Sequence, residues 1–213
     1  MSPRTCELPL MATAPQPMPA TLDDFLGRSG DDRVELIRGT LVEKPLASSD
    51  HSLAQAATVI SLGGPFQRRP GGSQPGGWWF FTELPILFGT EVVRPDVCGF
   101  RRERMPQPPQ VPVVKMSPDW TCEFISPTHE ARDRIEKAQI YFRGHVPHYW
   151  LMNSLEHTLE VFRRTDIGYA LVQSGQRGDR PRAEPFEAVE FQVDEFFGDD
   201  AAEKLEYSPV RFG

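Results

Sequence analysis

A carboxylate stands where an apolar residue belongs. In Trp120-Thr121-Cys122-Glu123-Phe124-Ile125-Ser126 the aromatic and aliphatic residues read as a buried strand, and Glu123 lies in its middle. An ionised carboxylate in such a place is costly unless a cation compensates it. Two other groups are placed to complete a site: Asp96 in Val93-Arg94-Pro95-Asp96-Val97, on the preceding apolar run, and Lys137 in Arg132-Asp133-Arg134-Ile135-Glu136-Lys137, one helix later. Asp, Glu and Lys brought to one edge of a small sheet would make a divalent-metal hydrolytic site. Two carboxylates fix the ion, and an ammonium positions water or neutralises a transition state.

Each residue also has an ordinary reading. Strand alternation puts Thr121, Glu123 and Ile125 on one face and Trp120, Cys122 and Phe124 on the other, so Glu123 could be a strand-end acid paired to an arginine. Asp96 after Pro95 is common turn chemistry. Lys137 follows Asp133 by four residues, the spacing of a helix-surface ion pair. The three together, not any one alone, point to a site. His51 opens a helix, and His145 and His148 lie three apart without a third ligand at metal-site spacing, which favours structural or surface roles. The chain has no glycine-rich phosphate loop opening a helix, no Gly-x-Ser-x-Gly elbow and no paired Cys-x-x-Cys. Nucleotide-dependent, serine-hydrolase and zinc-ribbon chemistries are thereby excluded.

The elements that must position these groups are legible in outline. Thr21 caps a short helix over Leu22-Asp23-Asp24-Phe25-Leu26 that ends near Gly30. Val34 to Ile37 and Thr40 to Val42 form a hairpin turning at Gly39. Ser49 or Asp50 caps a helix whose buried stripe is Leu53, Ala56, Ala57, Ile60 and Leu62. After the glycine- and proline-rich loop of 70–77, Trp78 to Phe88 and Val92 to Phe100 are strands joined at Gly89. The proline-rich stretch 105–118 is a surface connection to the Glu123 strand. A helix from Glu130 to Arg143, starting after Ser126-Pro127-Thr128, buries Ile135, Ala138, Ile140, Tyr141 and Phe142 and ends at Gly144. Strands over 146–152, 159–162 and 169–172 follow, then a last strand or short helix over 189–197. This is an α+β order with a mixed central sheet flanked by helices.

A chain of 213 residues, 39 % hydrophobic, can bury a sizeable core. Residues 1–20, with five prolines, read as a disordered tail to one domain over 21–213, and Met11 offers a second start within that tail. No run is apolar enough for a signal peptide or a membrane span. Cys6, Cys98 and Cys122 read as reduced core residues of a cytoplasmic protein. A net charge of −7 requires any nucleic-acid surface to be a local basic patch. Arg68 and Arg69, Arg101, Arg102 and Arg104, Arg163 and Arg164, and Arg177, Arg180 and Arg182 are the candidates, each also readable as a solvated face.

Taken in order, Val34-Glu35-Leu36-Ile37-Arg38-Gly39, His51, Arg94-Pro95-Asp96-Val97, Asp119 to Thr128, Asp133 with Lys137 and Tyr141, and Val146-Pro147-His148-Tyr149-Trp150-Leu151 closely resemble the Uma2 family, also called DUF820. The resemblance spans about residues 21 to 197. It implies a restriction-endonuclease-like core of the PD-(D/E)XK type, with Asp96 and Glu123 binding Mg2+, Mn2+ as a substitute, and a backbone carbonyl near Phe124 assisting. The lysine normally two residues after the second acid is absent, since Ile125 stands there; Lys137 is the replacement from the next helix. Glu35 matches the family's early glutamate, a ligand or water-orienting group, or else an exposed strand residue. Glu83 is a fainter candidate, and Thr40 departs from the acid often found after the glycine.

The resemblance implies a Mg2+-dependent endonuclease that hydrolyses DNA, a homodimer if both strands are to be cut. A module of the same fold that binds nucleic acid or protein without cutting is the alternative, and a plain structural protein comes third.

Overall fold

The computed structural model describes residues 18–28, 33–125 and 132–199, the side chains at 132 and 133 excepted. Most of the tail, Cys6, Gly30, and the helix start with Ser126-Pro127-Thr128 lie outside the described residues. The strands are β1 (Val34–Ile37), β2 (Thr40–Glu43), β3 (Trp78–Thr82), β4 (Ile86–Phe88), β5 (Glu91–Val93), β6 (Val97–Arg101), β7 (Trp120–Ile125), β8 (His148–Asn153), β9 (Thr158–Arg164) and β10 (Tyr169–Gly175). They form a six-stranded sheet, β10-β9-β8-β7-β6-β3, and a four-stranded sheet, β2-β1-β5-β4. In the large sheet β7 and β8 are parallel and the other pairs antiparallel, so the expected mixed α+β architecture is present.

The first hairpin turns as its sequence requires. Arg38 and Gly39 both have positive φ, 49° and 70°, the conformation of a two-residue turn that matches strand twist. A Cβ on Gly39 would stand 2.6 Å from the Pro19 Cβ.

The second hairpin departs from expectation in a way that creates the site. The sequence pattern predicts unbroken strands from Trp78 to Phe88 and from Val92 to Phe100. Both break, one at Glu83-Leu84-Pro85 and the other at Arg94-Pro95-Asp96. Prolines 85 and 95 have no N–H to extend a ladder, and Glu83 adopts a φ of 54°. Below the break β3 pairs with β6 in the large sheet; above it β4 pairs with β5 in the small one. One hairpin therefore belongs to both sheets, and the Glu83 N–H donates to the Pro95 carbonyl at 3.1 Å across the seam.

Helix α2 (Ser49–Phe66), capped by Ser48, covers one face of the large sheet together with a 3-10 turn over Val193–Phe197. Trp78, Phe80, Trp120, Cys122, Phe124 and Trp150 fill that layer. The buried stripe of α2 is Ala54, Ala57, Thr58, Leu62 and Phe66: Ala57 and Leu62 are buried as predicted, whereas Leu53 and Ile60 are 54 % and 73 % exposed and Ala56 is exposed. Small side chains let the helix approach the sheet, and the Thr58 hydroxyl donates to the Phe196 carbonyl at 3.2 Å.

The opposite face carries the small sheet and α3 (Ala138–Arg143), around Phe88, Cys98, Phe100, Ile140, Tyr141 and Tyr149. Cys98 and Cys122 are free and buried on opposite sides of the sheet. Helix α1 (Leu22–Leu26), with Thr21 and Asp24 capping each other, closes at Gly27 and buries Phe25. The 105–118 connection is irregular apart from a bridge between Val114 and Ile86.

The segment before α3 is a π-helical turn, Arg132–Lys137. A wider turn shifts the inward face by about one residue, so Ile135, expected in the core, is 58 % exposed and Lys137 points inward. After α3 the chain reverses at Gly144, whose missing side chain leaves room for the Phe88 ring. Gly144→Ala is expected to destabilise the fold by about 1–3 kcal/mol through overpacking, measured as a lowered urea midpoint at unchanged slope.

Candidate metal and catalytic site

The β6–β7 register ends at Val97 opposite Cys122; one residue further the same register sets Asp96 beside Glu123. Asp96 Oδ2 accepts the Phe124 N–H at 2.8 Å, which fixes the carboxylate against β7. Its Oδ1 lies 2.7 Å from Lys44 Nζ and 3.2 Å from His51 Nε2. The His51 nitrogen is buried without a well-aligned hydrogen bond, so the contact is one of proximity. Gln55 donates to the Asp96 carbonyl at 2.5 Å, tying α2 to the same point.

Glu123 is held on both oxygens. Lys137 Nζ is 2.7 Å from Oε2, and the Tyr141 hydroxyl donates to Oε1. Lys137 also lies 3.7 Å from Glu35 Oε1, which accepts the Arg94 N–H at 2.9 Å. The Arg94 guanidinium reaches the Val34 and Glu83 carbonyls and lies over the Phe25 ring. Glu35, Asp96, Glu123 and Lys137 are each at most 2 % exposed.

All four predicted residues thus meet at the seam between the sheets. The ordinary readings fail for three of them. Glu35 is not an exposed strand residue, Asp96 is not a solvated turn, and Lys137 serves Glu123 and not a helix surface; the Asp133 side chain lies outside the described residues. Glu83, the fainter candidate, is half-buried at the rim, bound to Lys44 and to Arg33. His148 stands apart, with Nδ1 3.8 Å from Glu184. At Phe124 it is the amide, donating to Asp96, that takes part.

Lys44 was missed by sequence reasoning. In Val42-Glu43-Lys44-Pro45 it looks like a charge at the end of a hairpin strand, but its side chain is 8 % exposed. Its ammonium bonds both Glu83 oxygens at 2.9 and 3.0 Å, the Arg94 carbonyl at 2.8 Å and Asp96 at 2.7 Å. A lysine just before a proline carries no local signal for burial.

The charges explain one another. Burial alone would raise the Asp96 pKa, but Lys44, the His51 contact and Lys137 together hold it well below the usual carboxylate range. Burial would lower the Lys44 pKa, yet Asp96, Glu123 and Glu83 raise it. Burial first, then the Glu123 charge, pushes the Tyr141 hydroxyl well up, so it stays a donor. Because the folded-state pKa of Asp96 is depressed, its stabilisation is complete above its unfolded value of about 3.9 and fades as pH falls through the folded value. Urea unfolding between about pH 5 and 2 is expected to show a steeper acid loss of stability in wild type than in Asp96→Asn.

Most of the sequence's basic patches are occupied structurally. Arg101 and Arg102 lie over Trp78 and Trp79, Arg104 pairs with Asp119, and Arg164 lies over Phe142. Arg177 pairs with Asp194 and Asp199.

Asp96, in the bend just before β6, and Glu123, on β7, are thus two buried carboxylates, each paired with a lysine ammonium, at the seam of a restriction-endonuclease-like fold. The chain belongs to the Uma2 family, whose model, described as "Putative restriction endonuclease", matches residues 20–194. Among solved structures it is similar to a chain from Anabaena variabilis ATCC 29413 described as "a putative nuclease belonging to DUF820". The two are 22 % identical with a TM-score of 0.65, covering 84 % of this chain and 98 % of that one, a likeness of fold. No curated protein matches the chain. Among the described residues no helix is long and apolar enough to cross a membrane.

Proposed function

We propose that this protein is a divalent-metal-dependent endonuclease that hydrolyses DNA phosphodiester bonds. The observation that carries the reading is that Asp96, just before β6, stands beside Glu123 of β7, both buried and both bound to lysines. Nothing in a purely structural core requires four buried ionisable groups at one seam.

Asp96 and Glu123 would hold Mg2+, with Mn2+ as a substitute, since carboxylate oxygens suit these ions better than zinc. A bound ion would supply charge neutralisation at the nonbridging oxygens and a more acidic water. The chain's own residues do the rest. Lys137, oriented by Glu123 and Glu35, presents an ammonium for the attacking water or the developing charge. Tyr141 keeps Glu123 in one orientation by donating to it, and the Phe124 amide does the same for Asp96. A groove of about 590 Å³ lined by Arg28, Arg33, Glu43 and Lys44 opens beside the site, where Arg28 and the half-exposed Arg33, the latter paired with Glu83, would be the cations offered to a phosphate backbone. A homodimer would place two such sites on one duplex, and a cytoplasmic setting agrees with the reduced cysteines.

The ion pairs themselves favour one other reading, a module of this fold that binds nucleic acid without cutting it. Plasmid and short-duplex DNA incubated with the protein in Mg2+ or Mn2+ separates the two. Cleavage that stops with EDTA and in Asp96→Asn is the expected result. A folded wild type that binds Mn2+ but never cleaves DNA, with salt-sensitive DNA binding unchanged by the substitution, would support the noncatalytic module.

A further inference from the structure

Lys44 stands where the site's chemistry calls for a cation. Its ammonium bonds Asp96 Oδ1 at 2.7 Å, inside the first contact distance of the carboxylate, and the remaining oxygen already accepts the Phe124 N–H. A divalent ion approaching Oδ1 would therefore meet the Lys44 charge, with His51 Nε2 3.2 Å from the same oxygen, while Oδ2 is turned to the β7 backbone. The lysine has a place to go. It keeps three other bonds, to both Glu83 oxygens and to the Arg94 carbonyl, and Glu83 lies at the rim, beside the groove lined by Arg28 and Arg33.

We propose that Lys44 is an internal counter-ion that sets the divalent-metal affinity of this site, holding Asp96 until a metal ion displaces its ammonium toward Glu83. The inference rests on the metal-dependent reading given above. It differs from the role of Lys137, whose ammonium faces Glu123 and Glu35 on the α3 side. Lys44 follows β2 directly, so a residue leaving the small sheet acts on an acid carried at the seam between the sheets. Two like charges repel in a dry site far more strongly than in water, so a resident ammonium weakens the binding of a divalent ion beside it. The same ammonium stabilises Asp96 when no ion is bound.

Those two effects have opposite signs, and Lys44→Gln reads both. Glutamine retains an N–H donor for Asp96 and removes the charge. Calorimetric titration with Mn2+ is expected to show about tenfold tighter binding, or more, in the variant. In EDTA the variant is expected to melt below wild type. A lysine with only a structural role would lower the melting point and would leave affinity unchanged or reduced. Equal or weaker Mn2+ binding by a folded Lys44→Gln protein, with wild type binding normally, overturns the proposal and leaves the metal-dependent reading standing. Absence of Mn2+ binding in both proteins overturns the two together.

A second measurement needs no variant. Amine labelling of wild type, read by peptide mass spectrometry with exposed Lys115 as internal reference, is expected to show Lys44 protected in EDTA and labelled faster at saturating Mn2+. Labelling of Lys44 that does not change with Mn2+ overturns the proposal.

Discussion

Asp96→Asn is expected to lower metal-dependent DNA cleavage by about a thousandfold while leaving a folded protein. If the ion supplies about 4 kcal/mol of transition-state stabilisation, at about 1.4 kcal/mol per tenfold its loss reaches that figure. Asparagine keeps an oxygen for the Phe124 N–H but carries no charge for an ion or for Lys44. Lys44 retains Glu83 and the Arg94 carbonyl, so the stability cost should be about 1–3 kcal/mol and not the larger penalty of a fully orphaned buried charge. Plasmid cleavage rates and urea unfolding of the same preparations check both values. Cleavage at the wild-type rate by folded Asp96→Asn would remove Asp96 from the reaction and the proposed site with it.

What the sequence disclosed and what it concealed divide along physical lines. Glu123 was visible because an acid within an apolar run is a local anomaly, and Asp96 and Glu35 because they belong to motifs that resemble a family. Their convergence followed from strand order. Lys44 was hidden because its burial comes from the break in the second hairpin, a tertiary event that brings Glu83 and Asp96 to the same end of β2. That break is written in Pro85 and Pro95, whose missing N–H groups forbid a continuous ladder, but periodicity counting reads across them. Three members of the α2 stripe, Leu53, Ala56 and Ile60, were misplaced, while Ala57 and Leu62 are buried as read. Hydrophobicity ranks Leu53 and Ile60 above Thr58, but the buried face is the one that carries Ala54, Leu62 and Phe66, where the Thr58 hydroxyl finds the Phe196 carbonyl. Ile135 was misplaced because a π turn, which hydrophobic pattern does not encode, rotates Lys137 inward instead.

That rotation makes Lys137→Met the most discriminating substitution for mechanism. Methionine fills a similar volume without charge, leaving Glu123 with Tyr141 and Glu35 nearby, both acids at most 1 % exposed. The variant is expected to lose about 3 kcal/mol in EDTA because a buried acid has lost the ammonium bonded to its Oε2. Saturating Mn2+ should recover part of that loss, since an ion at Glu123 replaces the missing charge. Adding Glu123→Gln should restore stability as well, giving a coupling of about 2 kcal/mol in the double-mutant cycle. Catalysis should not recover: cleavage by Lys137→Met at saturating Mn2+ is expected to stay about a hundredfold or more below wild type, because the ion supplies charge but not the ammonium that positions water. Recovered stability with lost cleavage assigns the lysine to the reaction. Recovery of both by Mn2+ would assign Lys137 to holding Glu123 in place, and the water-positioning role would pass to another group at the seam.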